Sequence, residues 1–218
     1  MESRGRSGVG ESRRGLSPAA ELALGLAPAI RDTRVLAAIA SIPRDRFVPE
    51  SERKRAYANV ALPIASGQTI SQPLVVARML ELLELRPTDR VLDVGTGSGY
   101  HAALLSLLAG EVLTIERHEE LSAIAQRTIR ELELDNVEFF VGDGWQGLPD
   151  RGPFDAINVA AATGAQLPAA LERQLAPGGR LVAPVGETSQ RLVLTRRTPE
   201  GFRHSTLEGV RFVPLVRD

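Results

Sequence analysis

The pattern of apolar and polar positions changes character near Ala61. Between Asp32 and Pro43 the apolar side chains recur at helical spacing, Asp32 is placed to cap the helix, and Pro43 ends the pattern. We expect residues 17–60 to form a helical appendage that is too small to bury a core alone. Residues 1–16 are rich in Gly, Ser, Arg and Glu, which is typical of a disordered tail.

After Ala61, nearly apolar short runs alternate with longer amphipathic ones. The runs that favour strands are RVLDVG, EVLTIE, NVEFFVGD, FDAINVAAA and RLVAPVG, and those that favour helices are PLVVARMLELLEL, YHAALLSLLAG, HEELSAIAQRTIRELEL and LPAALERQLAPGG. Two further strand patterns, QRLVLTRRT and EGVRFVPL, follow with no helix between them. This order predicts an α/β domain over residues 61–218, with a doubly wound, mostly parallel sheet and an antiparallel C-terminal edge.

Composition restricts the classes of function. The chain has 218 residues, a formal net charge of −1 and no cysteine. Thiolate catalysis and cysteine-ligated metals are therefore excluded, and no basic field argues for nucleic acid. No apolar run is long enough to span a membrane. The twin arginine at Arg13 and Arg14 leaves an export signal open, but Pro18 and Glu21 interrupt the apolar part, so we expect a cytoplasmic protein.

The segment VLDVGTGSGY, from Val91 to Tyr100, reads as a strand, a glycine-rich turn and a helix start. Glycines let such a turn approach a ligand closely. Glu116 ends the next predicted strand, where a carboxylate can accept both hydroxyls of a ribose. Asp143 ends the strand after that, where it can reach the amino edge of an adenine. The pattern predicts a nucleotide-like ligand.

The spacing of the glycines bears on which ligand binds. A dinucleotide loop usually reads GxGxxG, whereas this loop reads GxGxG and is preceded by Asp93. A carboxylate would repel a pyrophosphate and favour a cationic ligand, which fits S-adenosylmethionine. The structural alternative is that Asp93 only bonds to the amides of its own loop.

The segment SGQTISQP, from Ser66 to Pro73, allows two interpretations. Ser71 can be the N-cap of the helix that Pro73 opens. A helix start flanked by hydroxyls can also receive a carboxylate. The residues alone leave both open.

In order and spacing, these motifs resemble the protein-L-isoaspartate O-methyltransferase family. The resemblance is carried by GQTISQP, RVLDVGTGSGYHAALLS, VLTIER, GDGWQG, LAPGGRLVAPVG and VRFVPLV. It implies a class I S-adenosylmethionine-dependent methyltransferase with a seven-stranded sheet, which methylates the carboxylate of L-isoaspartyl residues in damaged proteins. The sequence departs from the family pattern at Asn59, Ala65 and Asp93, and at Thr163-Gly164.

The resemblance also implies residue roles. The active-site serine of the family matches Ser71, and Thr69 and Gln72 are expected beside it in the substrate site. The expected cofactor contacts are Asp93, Gly95, Thr96, Gly97, Ser98, Gly99, Glu116, Arg117, Asp143 and Gly144. Isoaspartyl proteins and peptides are the expected partners, with no nucleic acid, membrane or metal.

The chemistry needs no general base, because a carboxylate is already ionised at pH 7. The three histidines fit this, since none lies in the TISQP segment. His101 and His118 are expected at helix surfaces and His204 in a polar turn. Three alternatives remain: a methyltransferase for another acceptor, a non-catalytic module that binds S-adenosylmethionine, and a nicotinamide dehydrogenase, which the GxGxG spacing disfavours.

Overall fold

The structure is a computed structural model that describes residues 15–217. The predicted tail, 1–16, lies outside the described residues except for Gly15 and Leu16. None of the helices within residues 15–217 has the length and apolar character that crossing a membrane requires.

Helices and strands alternate through most of the described chain. The helices are α1 (Pro18–Leu26), α2 (Thr33–Ser41), α3 (Pro73–Leu83), α4 (Tyr100–Ser106), α5 (Glu119–Glu131) and α6 (Ala169–Arg173). The strands are β1 (Leu62–Pro63), β2 (Thr69–Ile70), β3 (Arg90–Val94), β4 (Glu111–Glu116), β5 (Val137–Val141), β6 (Phe154–Val159), β7 (Leu175–Val185), β8 (Gln190–Thr198) and β9 (Gly201–Val210). Short 3-10 helices occupy Arg44–Phe47, Glu50–Arg55, Ala65–Gly67 and Pro149–Arg151.

Seven strands form one sheet in the order β5-β4-β3-β6-β7-β8-β9, and β1 pairs separately with β2. The first five of these seven are parallel, whereas β8 runs antiparallel to both β7 and β9. The α/β fold with a mostly parallel seven-stranded sheet is thereby confirmed. Because β3 pairs with β4 on one side and β6 on the other, the strand order reverses at β3, and ligands bind at such a point.

Both faces of the sheet are covered, which explains why its central strands read as apolar runs. In β3, Val91 faces a core on one side, while Leu92 and Val94 face a second core on the other. The first core extends from Leu22 in α1 to Leu192 in β8. The helices of the N-terminal appendage therefore share a core with the sheet.

Asp32 caps α2 as predicted, since its Oδ1 accepts a hydrogen bond of 2.9 Å from the Arg34 amide. The Glu81 carboxylate, in α3, accepts the amides of Arg31 and Asp32 at 2.6 and 3.0 Å. One side chain thus ties the start of α2 to α3.

Two predicted elements differ from the structure. The last strand was expected over 208–215, but β9 covers Gly201–Val210, and His204 lies in this strand rather than in a turn. Its residues are almost all exposed, so β9 carries no apolar alternation that a sequence pattern could detect. The helix expected over 167–179 is only α6, because β7 already begins at Leu175 to pair with the start of β6.

Candidate active site

The glycine-rich loop joins β3 to α4 at the point where the strand order reverses. Gly99 is the N-cap of α4 and has a φ of 87°, in the left-handed region that favours glycine. A Cβ at this position would lie 2.9 Å from the Cβ of Ala125 in α5. Glycine is therefore required both by the backbone and by close packing of the two helices.

Glu116 lies at the end of β4 and is 7% exposed. Its Oε2 accepts the Gly97 amide at 2.9 Å, and its Oε1 accepts the His118 amide at 3.0 Å. These bonds fix the carboxylate beside the glycine loop. Each oxygen keeps a further lone pair for a donor such as a ribose hydroxyl.

Asp93 is fully buried beneath this loop. Its Oδ1 accepts from Asn158 Nδ2 at 2.7 Å and its Oδ2 accepts from the Thr114 hydroxyl at 2.9 Å. Burial raises the pKa of Asp93 to about 6, the two hydrogen bonds oppose that rise, and nearby Glu116 adds to it. Its carboxylate does not line the cavity, which differs from the direct ligand contact expected from the sequence.

A cavity, here called the glycine-loop cavity, opens above the loop. The expected cofactor residues that line it are Gly95, Thr96, Gly97, Ser98, Glu116, Arg117 and Gly144. Three others do not line it. Asp93 lies near the end of β3, Gly99 is the N-cap of α4, and the Asp143 carboxylate accepts the Trp145 amide at 2.9 Å.

A second cavity, here called the hairpin cavity, lies between the TISQP segment and the β8–β9 end of the sheet. It is lined by Glu187–Gln190, by Gly209–Val213, and by Ala61, Thr69, Ser71, Gln72 and Val75. Thr69, Ser71 and Val213 line both cavities. These three residues form a shared wall, where a group held in one cavity can meet a group held in the other.

Ser71 is half-buried in this wall and is not the helix cap. The N-cap of α3 is Gln72, which makes no capping hydrogen bond through its side chain. Asn59 supplies the cap, since its Oδ1 accepts the Leu74 amide at 3.0 Å. The capping interpretation of Ser71 is therefore wrong. Pro73 at the first helical position agrees with the prediction.

The C-terminal residues form one side of the glycine-loop cavity. The Gln190 side chain donates to the Phe212 carbonyl at 3.1 Å and accepts the Phe212 amide at 2.6 Å. Farther along, Ala162 donates to the Val213 carbonyl and accepts the Leu215 amide, both at 2.8 Å. These bonds hold Val213, Pro214, Leu215 and Val216 against the cavity. Residues 211–215 of the predicted strand are thus a segment held by these hydrogen bonds rather than part of the sheet.

The glycine-loop cavity is also lined by Tyr100, His101 and His118, which the sequence did not single out as site residues. His101 is 6% exposed rather than on a surface, and burial lowers its pKa to about 4, so the ring is neutral at pH 7. Its Nε2 and the hydroxyl of neighbouring Tyr100 are buried without a hydrogen-bond partner. Their position directly after the last loop glycine is the signal that could have found them. His118 is half-buried and also lines the cavity.

Arg44 was missed as well, although it lies behind the shared wall. Its side chain is fully buried and donates to the carbonyl of Ser71 at 3.0 Å. Nothing in the local sequence indicates this contact. Within residues 15–217, no group of three His, Asp or Glu side chains is arranged to hold a metal ion.

Comparisons with known proteins agree on one family. A family model described as protein-L-isoaspartate (D-aspartate) O-methyltransferase matches residues 24–218. A protein-L-isoaspartate O-methyltransferase of Serratia proteamaculans is 55% identical over 188 residues, which cover 86% of this chain and 90% of that protein.

Solved structures give the same result. A protein-L-isoaspartate O-methyltransferase structure superposes with a TM-score of 0.80 and 28% identity, covering 89% of this chain and 64% of the other. A Plasmodium falciparum protein described as a β-aspartate methyltransferase in complex with S-adenosyl-L-homocysteine gives a TM-score of 0.81 and 26% identity. That match covers 92% of this chain and 99% of the other.

Proposed function

This chain belongs to the protein-L-isoaspartate (D-aspartate) O-methyltransferase family, and from that membership we propose how its two cavities divide the reaction. The activity is the transfer of a methyl group from S-adenosylmethionine to the carboxylate of L-isoaspartyl residues in proteins. The observation that supports the division is the wall of Thr69, Ser71 and Val213 between the cavities. The glycine-loop cavity takes the cofactor, and the hairpin cavity takes the isoaspartyl peptide.

The glycine-loop cavity fits S-adenosylmethionine, which supplies an electrophilic methyl group on a sulfonium. Glu116 has its carboxylate fixed at the wall for the ribose hydroxyls. The Tyr100 hydroxyl and His101 Nε2 are buried polar atoms that still lack partners. Direct contacts are assigned to Gly95, Thr96, Gly97, Ser98, Glu116, Arg117 and Gly144. Gly99, Asp93 and Asp143 act from below or beside the loop.

Ser71 orients the acceptor carboxylate. Neither Lys nor Arg lies between Ser66 and Val76, and Arg44 behind the wall contacts the Ser71 carbonyl rather than the cavity. Arg211 lines the hairpin cavity but is not part of the shared wall. A hydroxyl donor can align a carboxylate oxygen with the methyl group without neutralising its charge. Thr69 lies on the same wall, and Gln72 lines only the hairpin cavity. Because the acceptor is already ionised at pH 7, no residue needs to remove a proton.

Substitution of Ser71 by Ala tests this role. We expect kcat/KM for an isoaspartyl peptide to fall by about ten- to a hundredfold, because one hydrogen bond to a charged group contributes about 1.5–3 kcal/mol. Calorimetric affinity for S-adenosylhomocysteine and the free energy of unfolding should change little, since Ser71 does not cap α3.

The matched control is Ser66→Ala. Ser66 lies in the same loop as Ser71, but it lines neither cavity. Full turnover in the Ser71→Ala protein would contradict the assignment.

An L-Asp peptide of the same sequence should accept no label from S-adenosylmethionine. Equal labelling of the two peptides would instead favour a methyltransferase with another acceptor.

We also place the reaction in the cytoplasm with isoaspartyl proteins as the only macromolecular partners. The absence of cysteine from all 218 residues fits a reducing compartment. The net charge of −1 gives no attraction to nucleic acid or to anionic lipid.

A further inference from the structure

We propose that Arg44 is a positioning residue that, together with Asn59, fixes the turn carrying Ser71 from the N-terminal segment. The proposal rests on the role proposed above for Ser71. It assigns to residues before Ala61 a part in the reaction, although their side chains do not line the glycine-loop cavity.

Arg44 binds three backbone carbonyls from three separate places in the chain. Its guanidinium donates to Ala56, to Val60 at 3.2 Å and to Ser71 at 3.0 Å. The side chain is fully buried, and among the described residues no carboxylate pairs with it. The ring of Tyr100 faces the guanidinium carbon at 5.8 Å. The planar fork of arginine suits several carbonyls at once, which a lysine ammonium cannot reproduce.

Burial of this cation is unfavourable, so its hydrogen bonds must compensate for the hydration that it loses. Burial lowers the pKa of Arg44 to about 10, which still leaves the side chain charged at neutral pH. A buried charge is stabilised only if its hydrogen bonds are well formed. Nε of Arg44 is buried without a hydrogen-bond partner among the described residues, so the guanidinium depends on these three carbonyls, and one of them belongs to Ser71.

Asn59 holds the other end of the same turn. This residue is exposed, and its Oδ1 accepts the Leu74 amide at 3.0 Å. Arg44 thus holds the carbonyl at position 71, and Asn59 holds the amide three residues later. Residues 71–74 are fixed at both ends by the segment that precedes β1.

Ser71 depends on this support because its own surroundings fix it weakly. Its hydroxyl makes no hydrogen bond with another described residue. The preceding β2 is only two residues long, and the turn before it contains Ser66 and Gly67 at positive φ. The backbone at position 71 therefore sets where the hydroxyl points. A displacement of about 1 Å at such a site can reduce turnover a hundredfold.

The test compares Arg44→Lys and Asn59→Ala with a control, Arg46→Lys. Arg46 lies in the same 3-10 helix but is exposed and paired with Glu131. For both test variants we expect kcat/KM for an isoaspartyl peptide to fall by at least about tenfold. The dissociation constant of S-adenosylhomocysteine, measured by calorimetry, should stay within about twofold of the parent value. For the control variant, both kcat/KM and this dissociation constant should stay within about twofold.

A double-mutant cycle with Ser71→Ala distinguishes positioning from general stabilisation. If Arg44 acts through Ser71, Arg44→Lys should lower kcat/KM by no more than about twofold once the Ser71 hydroxyl is gone. An equal loss in both backgrounds would overturn the proposal. Full activity of Ser71→Ala alone would refute the proposed function instead.

The exposed Asn59 keeps the test decisive if Arg44→Lys does not fold. Asn59→Ala removes an exposed side chain and a single capping hydrogen bond, so the folded protein is expected to form. Unchanged kcat/KM in Asn59→Ala would then overturn the proposal that Arg44 and Asn59 together fix the turn that carries Ser71. A loss that disappears in the Ser71→Ala background would support it.

Discussion

At the scale of single residues, Asp93 and Glu116 show how two buried carboxylates at neighbouring strand ends differ in their hydrogen-bond partners. Both lie at the ends of neighbouring strands, and both are buried. Glu116 uses backbone amides as partners and faces the glycine-loop cavity. Asp93 uses side chains of β4 and β6, and so links the strands below the loop. One carboxylate is placed for a ligand, and the other supports the loop.

The raised pKa of Asp93 predicts a pH dependence of stability. The folded pKa of about 6 exceeds the ordinary value of 3.8, so the folded protein keeps a proton that the unfolded chain releases. Between these values the contribution of Asp93 to stability falls as pH rises, and above pH 6 it becomes constant. We expect Asp93→Asn to remove this slope. From pH 5 to pH 8, the free energy of unfolding of the variant should rise by about 1.5 kcal/mol relative to that of the parent protein.

Urea unfolding at several pH values measures this difference directly. Asp150→Asn, the same substitution at an exposed position, serves as the control. A pH-independent difference for Asp93→Asn would show that the buried carboxyl has an ordinary pKa.

At the scale of elements, local patterns predicted those parts of the molecule whose partners are near in sequence. The strand, glycine turn and helix around Gly97 were found because one short segment contains all of them. Strand β9 was placed too late in the chain because its side chains are almost all exposed, and α6 was predicted too long because β7 starts early. The N-cap of α3 was misassigned because Asn59 reaches it from 15 residues away.

The glycine loop leads to a prediction for the contact between α4 and α5. Gly99→Ala should destabilise the fold by about 1–3 kcal/mol more than Gly178→Ala. Both glycines have positive φ, 87° and 76°, so the backbone strain is similar in the two variants. Only Gly99 would bring a Cβ to 2.9 Å from Ala125, whereas nothing lies within 4 Å at Gly178. Chemical denaturation of both variants gives the comparison, and equal losses would contradict the packing argument.

At the scale of the whole molecule, the site depends on contacts that no local pattern encodes. Family resemblance predicts a role for Ser71, and strand-end chemistry predicts one for Glu116. Arg44 was not identifiable, because 27 residues separate it from Ser71 and a guanidinium bound to carbonyls leaves no charge partner to recognise. The division into an appendage, 17–60, and a domain, 61–218, remains a prediction. The shared core nevertheless argues that the two parts unfold together.

We therefore expect a single cooperative unfolding transition. Trp145 is the only tryptophan in the chain and reports on the cavity end of the sheet, while far-ultraviolet circular dichroism reports on all helices. Because α1 and α2 pack in the same core as β3 and β8, the two signals should give the same midpoint. An earlier dichroism transition with unchanged tryptophan fluorescence would show that the appendage melts separately.

The wall of Thr69, Ser71 and Val213 has a kinetic consequence. Apart from these three residues, the two cavities are lined by different residues. If methyl donor and acceptor occupy the two cavities as proposed, the two ligands share only this wall. We then expect no fixed order of arrival, and a methylated peptide can depart while the spent donor stays behind.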